Sequence, residues 1–170
     1  MLDDPFKYGL LAALAIALLV AAFTDLRSRK IGNWLTGAIA LGAPLFWWAC
    51  DMPLWADPWS QASVAAQLGI ALLTFVILAV LFALRAMGGG DVKLLTALAL
   101  WIEPAWFLKL VVIMALLGGV LTIVFAAWHI VRGRKGRLAI PYGVAIASAG
   151  LWVLSAQYWP PAATATGSLG

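Results

Sequence analysis

The chain has 170 residues, of which 65% are hydrophobic and only 11% are charged, and its mean hydropathy is +1.01. Soluble domains carry about a quarter of their residues charged, so this composition excludes an ordinary soluble protein and indicates a polytopic membrane protein. The net charge of +4 does not indicate a nucleic-acid partner, because the basic residues stand in short loops between apolar runs. We expect one membrane-embedded domain over residues 1–159, in contact with membrane lipids.

The N-terminal residues 1–5 are acidic and lack the basic region of a secretory signal. We therefore expect the first apolar run to be retained as a membrane helix. The chain has one cysteine, Cys50, and one histidine, His129, which excludes an intramolecular disulfide and a Cys/His zinc site. We predict neither a metal nor a cofactor.

Six apolar runs predict an all-α bundle of about six transmembrane helices, at 8–24, 34–49, 61–84, 92–102, 105–130 and 138–159. The fourth run is anomalous, because about 11 residues form a helix of roughly 16 Å while the hydrocarbon core of a bilayer is about 30 Å thick. It crosses only if it begins below the membrane surface, which would draw Asp91 inward. We expect the tail at 160–170 to be disordered.

Charges are unequally shared between the two sides of this bundle. Six spans place both termini on one side and the loops near 25–33, 85–93 and 131–137 on the other. Those loops hold every basic residue except Lys7 and Lys109. The positive-inside rule therefore predicts that the loops are cytoplasmic and that the protein is N-out/C-out. The acids divide the opposite way, and two of them alone remain on the cytoplasmic side: Asp25 and Asp91.

Each of these aspartates also has an ordinary structural explanation. Asp91 follows three glycines and would cap the fourth helix, where a carboxylate accepts hydrogen bonds from free N–H groups. Asp25 would pair with Arg29 one turn later. The explanation is weaker for Asp25, because it stands near the C-terminal end of the first helix, where the dipole disfavours negative charge.

The functional interpretation is a pair of aspartates that share a proton. Two close carboxyls at low dielectric do not easily both ionise, so one can take a proton from water while the other polarises a peptide carbonyl. A different interpretation is a small proton-coupled transporter or channel subunit whose acids relay protons. A third is an assembly factor without catalytic activity, in which the aspartates would be dispensable.

Motifs around both acids resemble a known family. Gly88-Gly89-Gly90-Asp91 matches the Gly-x-Gly-Asp motif of aspartic intramembrane proteases. Together with the segment from Asp25 to Asn33, it resembles the type IV prepilin peptidases, in the short form associated with Tad/Flp pili. The turn at 141–143, Pro-Tyr-Gly, is similar to a late motif of that family.

This resemblance implies a bacterial inner-membrane aspartic endopeptidase with Asp25 and Asp91 as its catalytic pair. It implies a prepilin substrate whose basic leader ends in Gly, cut at the cytoplasmic face before its hydrophobic helix, and contact with pilus assembly machinery. The motifs also indicate five supporting residues around the pair: Gly88, Gly89, Gly90, Lys93 and Asn33. Lys93 either orients the pair or reaches lipid headgroups, and Asn33 either hydrogen-bonds in the site or begins the second helix.

Two departures from the family pattern affect these expectations. Gly32 stands where the family usually has proline, which loosens the loop but removes no chemical group. The sequence also has no Cys-x-x-Cys pair of the kind found in bifunctional members that N-methylate the new terminus. We therefore expect peptidase activity and make no prediction of methyltransferase activity.

Overall fold

The computed structural model describes residues 5–55, 63–132 and 141–158. Within these ranges the chain forms six helices: α1 (Pro5–Ser28), α2 (Asn33–Ala49), α3 (Val64–Ala83), α4 (Gly89–Ala99), α5 (Pro104–Val131) and α6 (Tyr142–Tyr158). This confirms the all-α fold predicted from the apolar runs. The predicted tail at 160–170 and most of the basic loop at 131–137 lie outside the described residues.

Three helices, α1, α3 and α5, are long and apolar enough to cross a membrane, so the chain is a membrane protein. Helices α2 and α6 have 17 residues each, which is close to the shortest length that spans a bilayer. Helix α4 has only 11 residues. That all six helices cross the bilayer therefore stays a prediction.

The outer faces of α3 and α5 are apolar and uncovered by protein. Leu72 of α3 is 64% exposed and Ile123 of α5 is 71% exposed, and α3 buries only Gln67 and Ala71. A contiguous apolar surface of this kind is unfavourable in water, whereas lipid chains solvate it. These faces are therefore the ones that contact lipid.

Helix α4 lies at the centre of the bundle. It packs against α2, α3 and α6, and six of its 11 residues are buried: Val92, Leu94, Leu95, Ala97, Leu98 and Ala99. Because protein surrounds it, the backbone groups at its ends do not face lipid, where they would lack hydrogen-bond partners. This central position explains how a helix too short to span a bilayer is accommodated.

One end of the bundle holds both ends of the described chain. The Lys7 ammonium lies 5.6 Å from the ring centre of Tyr158, which brings the start of α1 to the end of α6. At the same end, Trp47 Nε1 donates to the Leu100 carbonyl at 2.8 Å. The connections α1–α2 and α3–α4 and the start of α6 meet at the opposite end, which holds both aspartates.

Two helix boundaries differ from the sequence prediction in ways that affect the site. Helix α1 continues to Ser28. Asp25 therefore belongs to this helix, whereas we had predicted that it lies in the following loop. The helix stops where Arg29 adopts a left-handed φ of 53°. Helix α4 begins at Gly89 instead of Val92, because Gly88 takes the extended N-cap conformation and the glycines that we had assigned to a loop form the first helical turn.

Candidate active site

Asp25 projects from the last turns of α1 into the protein and is only 6% exposed. Its Oδ2 accepts a hydrogen bond of 2.8 Å from the backbone N–H of Gly143, at the start of α6. The first N–H groups of a helix have no partner within it and carry partial positive charge. The start of α6 therefore compensates for the unfavourable C-terminal dipole of α1.

The contact between Asp25 and Gly143 requires glycine. A Cβ atom at position 143 would lie 2.9 Å from Cβ, Cγ and Oδ2 of Asp25, which is closer than such atoms approach in real structures. We had noted the Pro-Tyr-Gly turn in the sequence but had predicted no role for Gly143. The available signal was Pro141 directly ahead of an apolar run, a pattern typical of a helix start.

Asp91 occupies the third position of α4, where its carboxyl group turns back to the helix start. It accepts a hydrogen bond from the backbone N–H of Gly88, the N-cap residue of α4. This is the side-chain half of a capping box, so the structural explanation of Asp91 as a cap is correct. A capping role does not exclude chemistry, because the second carboxylate oxygen remains available.

The structure brings Asp25 and Asp91 together from different helices. Asp91 precedes the buried residues of α4 in the chain, and it belongs to none of the three helices that are long enough to cross a membrane. The pKa of Asp91 is raised from 3.8 to about 6, because burial and, to a smaller extent, the negative charge of Asp25 raise it by more than the hydrogen bond from Gly88 lowers it. The two acids, which belong to separate helices, therefore interact electrostatically.

The three glycines before Asp91 are in close contact with their surroundings. A Cβ atom at Gly88 would lie 2.9 Å from Oδ2 of Asp91, one at Gly89 would lie 3.2 Å from the ring of Phe82, and one at Gly90 would lie 3.2 Å from Cβ of Ile31. Gly90 thereby allows the loop after α1 to pack on the start of α4. The glycines serve close packing around Asp91.

Lys93 and Asn33 contact each other. Lys93 Nζ donates to Asn33 Oδ1 at 2.8 Å, which links α4 to α2. Asn33 is the first residue of α2, and the N-cap is Gly32, which makes no side-chain capping bond. Asn33 therefore has a hydrogen-bonding role beside the site and does not cap the helix.

The reactive groups that the site provides are its two carboxyl groups. Within residues 5–55, 63–132 and 141–158, no group of three or more His, Cys, Asp or Glu side chains lies close enough to hold a metal ion. Two interacting carboxyls, one of them with a pKa of about 6, can hold one proton between them near neutral pH. Such a pair can activate water and protonate a carbonyl oxygen in one step.

Comparison with known proteins places these residues in a family. Residues 12–123, which include both aspartates, match the type IV leader peptidase family. The chain is 31% identical over 145 residues to a prepilin leader peptidase/N-methyltransferase of Xanthomonas campestris pv. campestris, in an alignment that covers 83% of this chain and 47% of that protein. The chain thus spans about half the length of this relative. No solved structure matches it.

The family match covers well over half of the chain, and the relative is aligned over most of it. Both findings confirm the resemblance inferred from the Gly-Gly-Gly-Asp motif and the segment after Asp25. This protein therefore belongs to the type IV leader peptidase family.

Proposed function

We propose that this protein is an aspartic endopeptidase that removes the leader peptide of prepilin-like substrates, with Asp25 and Asp91 as its catalytic pair. The observation that carries this proposal is the meeting of two carboxyl groups from α1 and α4, in which the charge of Asp25 acts on Asp91. Membership in the type IV leader peptidase family supports it.

The reaction needs one ionised and one protonated carboxyl. The ionised group takes a proton from water as the water oxygen bonds to the peptide carbon, and the carbonyl oxygen takes the proton of the other carboxyl. The gem-diol then collapses. The C–N bond breaks, the nitrogen receives its electron pair and the first proton, and a diol proton returns to the second carboxyl. One water is consumed and both side chains regain their starting states.

The position of the site favours cleavage at a membrane surface. Both acids lie at the end of the bundle that holds the basic residues Arg27, Arg29 and Lys30, which the positive-inside rule assigns to the cytoplasm. We propose the inner membrane as the location. We propose type IV or Flp prepilins with a Gly-terminated basic leader as substrates, and cleavage of that leader as the reaction.

The test is cleavage of a purified prepilin by the purified protein in detergent. Asp25→Asn and Asp91→Asn preserve shape and remove one carboxyl each, and each is expected to abolish cleavage. Asp51→Asn is the matched control, because Asp51 is exposed at the opposite end and has a φ of 47°, a conformation that asparagine tolerates. It should cleave normally.

Two outcomes would count against the peptidase. Cleavage that persists in both site variants would show that the aspartates are not catalytic. Proton flux in liposomes without any peptide hydrolysis would favour the transporter interpretation. The two acids lie at one end of the bundle and not at its middle, a position that favours a peptidase over a proton-coupled transporter with midplane acids.

A further inference from the structure

The turn Pro141-Tyr142-Gly143 is not used by the cleavage chemistry itself, yet it is firmly held. The ring of Tyr142 packs on Gly118 of α5, where a Cβ atom would lie 3.0 Å from Cε1 of the ring. Thr122 Oγ1 donates to the Gly118 carbonyl at 2.7 Å and lies 3.3 Å from the Tyr142 hydroxyl. Since the Thr122 proton is committed to Gly118, Tyr142 is the donor of this second bond.

This anchoring fixes the position of the first α6 amides. Tyr142 is attached to α5, and the next residue, Gly143, presents its N–H to Asp25 Oδ2 at 2.8 Å. No side chain lies between the Gly143 backbone and the carboxyl group. The turn therefore connects α5, through α6, to one member of the aspartate pair.

The two carboxyls have unequal surroundings. Asp25 accepts a hydrogen bond of 2.8 Å from the Gly143 amide of a neighbouring helix, and the positive charge of Arg29 acts on it. Asp91 accepts from the Gly88 amide at the start of its own helix. Burial disfavours an ionised carboxyl at both positions, whereas hydrogen bonds from N–H groups and a nearby cation favour one. The repulsion between the two carboxylates acts on both alike, so the Gly143 bond and Arg29 are what distinguish Asp25.

We propose that the Pro-Tyr-Gly turn assigns the two roles of the pair: the Gly143 amide holds Asp25 as the ionised base that accepts the proton of water, and Asp91 carries the proton delivered to the carbonyl oxygen. Gly143 is then a positioning residue, which acts through Asp25. The catalytic meaning of this assignment rests on the proposed function, while the ionisation order does not.

The ionisation order can be measured without substrate. Aspartate labelled with carbon-13 at the carboxyl group is incorporated, and NMR titrations in detergent follow Asp25 in the Asp91→Asn protein and Asp91 in the Asp25→Asn protein. We expect Asp25 to ionise at the lower pH of the two. Adding Gly143→Ala should move the ionisation midpoint of Asp25 upward by ~1 pH unit, the size expected for loss of one hydrogen bond to a charged group.

A matched variant separates this role from simple packing. Gly150 stands on the same helix against the same partner helix, and a Cβ atom there would lie 3.0 Å from Cδ1 of Leu18. The added methyl group in Gly143→Ala or in Gly150→Ala would therefore collide with a side chain of α1. Only Gly143→Ala is expected to lower kcat, by ~100-fold for a displaced base, and to move the acid limb of the kcat–pH profile upward.

Three results would overturn the assignment. One is an Asp91 that ionises at lower pH than Asp25. Another is an Asp25 midpoint unchanged by Gly143→Ala, and the third is a Gly150→Ala protein with the same shift as Gly143→Ala. If the titrations follow the expected order but wild-type protein cleaves no prepilin, the ionisation order stands and the proposed peptidase function is what fails.

Discussion

Lys93 Nζ donates a hydrogen bond of 2.8 Å to Asn33 Oδ1, and this bond joins the second turn of α4 to the start of α2. Lys93 follows Asp91 by half a turn of α4, and Asn33 is the first residue after the short loop that connects α1, the helix of Asp25, to α2. The bond is exposed to solvent, so its net contribution to stability is small, about 1 kcal/mol or less. The main effect of the bond is to fix the position of α4 relative to α2.

Lys93→Met and Asn33→Ala should each lower kcat for prepilin cleavage by up to ~10-fold while changing stability by no more than about 1 kcal/mol. Because both substitutions break the same bond, the double variant should be little worse than either single one. A double-mutant cycle on kcat and on the melting temperature measures this coupling. Fully additive losses would mean that the two side chains act independently.

Gly32→Pro should preserve or raise stability. Gly32 is the N-cap of α2 with φ −66° and ψ 136°, and proline fixes φ near −65°. The nearest atoms to an added Cβ belong to the side chain of Trp34, which is 70% exposed and free to turn away. We expect a gain of about 0.4–1 kcal/mol from the reduced freedom of the unfolded chain.

Gly69→Pro is the matched control for this prediction. Gly69 lies inside α3, and a Cβ atom there would meet no neighbouring helix. Proline at this position removes a helical hydrogen bond and its ring clashes with the carbonyl one turn earlier, so it should cost about 3 kcal/mol. Thermal unfolding in detergent compares the two variants. A Gly32→Pro protein as unstable as Gly69→Pro would show that the loop after α1 needs a conformation that proline forbids.

Gly88→Ala and Gly89→Ala should affect the enzyme differently although they are neighbours. A methyl group at 88 would lie 2.9 Å from the Asp91 carboxylate, whereas one at 89 would meet the ring of Phe82 at 3.2 Å, and Phe82 is half exposed and able to shift. We expect ~100-fold lower kcat for Gly88→Ala, as for a misplaced catalytic group, and nearly normal kcat for Gly89→Ala. Equal losses in a cleavage assay would argue against a specific constraint on Asp91.

Some features of this site could be predicted from the sequence and others could not. The pairing of Asp25 with Asp91 was predictable because acids are costly in a membrane domain and these two alone fell among the basic loops. The position of Asp25 inside α1 was not, because a charged residue next to Arg27 and Arg29 has the local signature of a loop. The partner of the buried carboxyl is the amide of Gly143, 118 residues later in the chain, which no local pattern around Asp25 indicates.

The helix count was also predictable, whereas the arrangement of the helices was not. Apolar runs separated by Pro, Gly and charges show where helices lie. That α4 is the central helix follows from packing against α2, α3 and α6, and no local pattern encodes those contacts. The anomalous length of the fourth run was the one local indication of its special position.

Stability should fall as pH rises through the range in which Asp91 ionises. The pKa of Asp91 is raised from 3.8 to about 6, so its contribution to stability is fully present below about pH 4 and is lost as pH passes 6. The loss is at most ~3 kcal/mol. Asp91→Asn stays neutral, so its melting temperature should change less between pH 4 and 7 than that of the wild type. Asp51→Asn should follow the wild type, and parallel curves for all three proteins would contradict the raised pKa.

The orientation of the bundle gives the last prediction, N-out/C-out with the aspartate end in the cytoplasm. On a Cys50→Ala background, Ser28→Cys and Ala86→Cys place a thiol at exposed positions at the aspartate end, and Leu54→Cys places one at the opposite end. None of these changes alters a charge that directs topology. A membrane-impermeant maleimide should label position 54 in intact spheroplasts and positions 28 and 86 only in inside-out vesicles. Labelling of 28 or 86 from outside would reverse the orientation and place the aspartates on the wrong side to meet a cytoplasmic leader peptide.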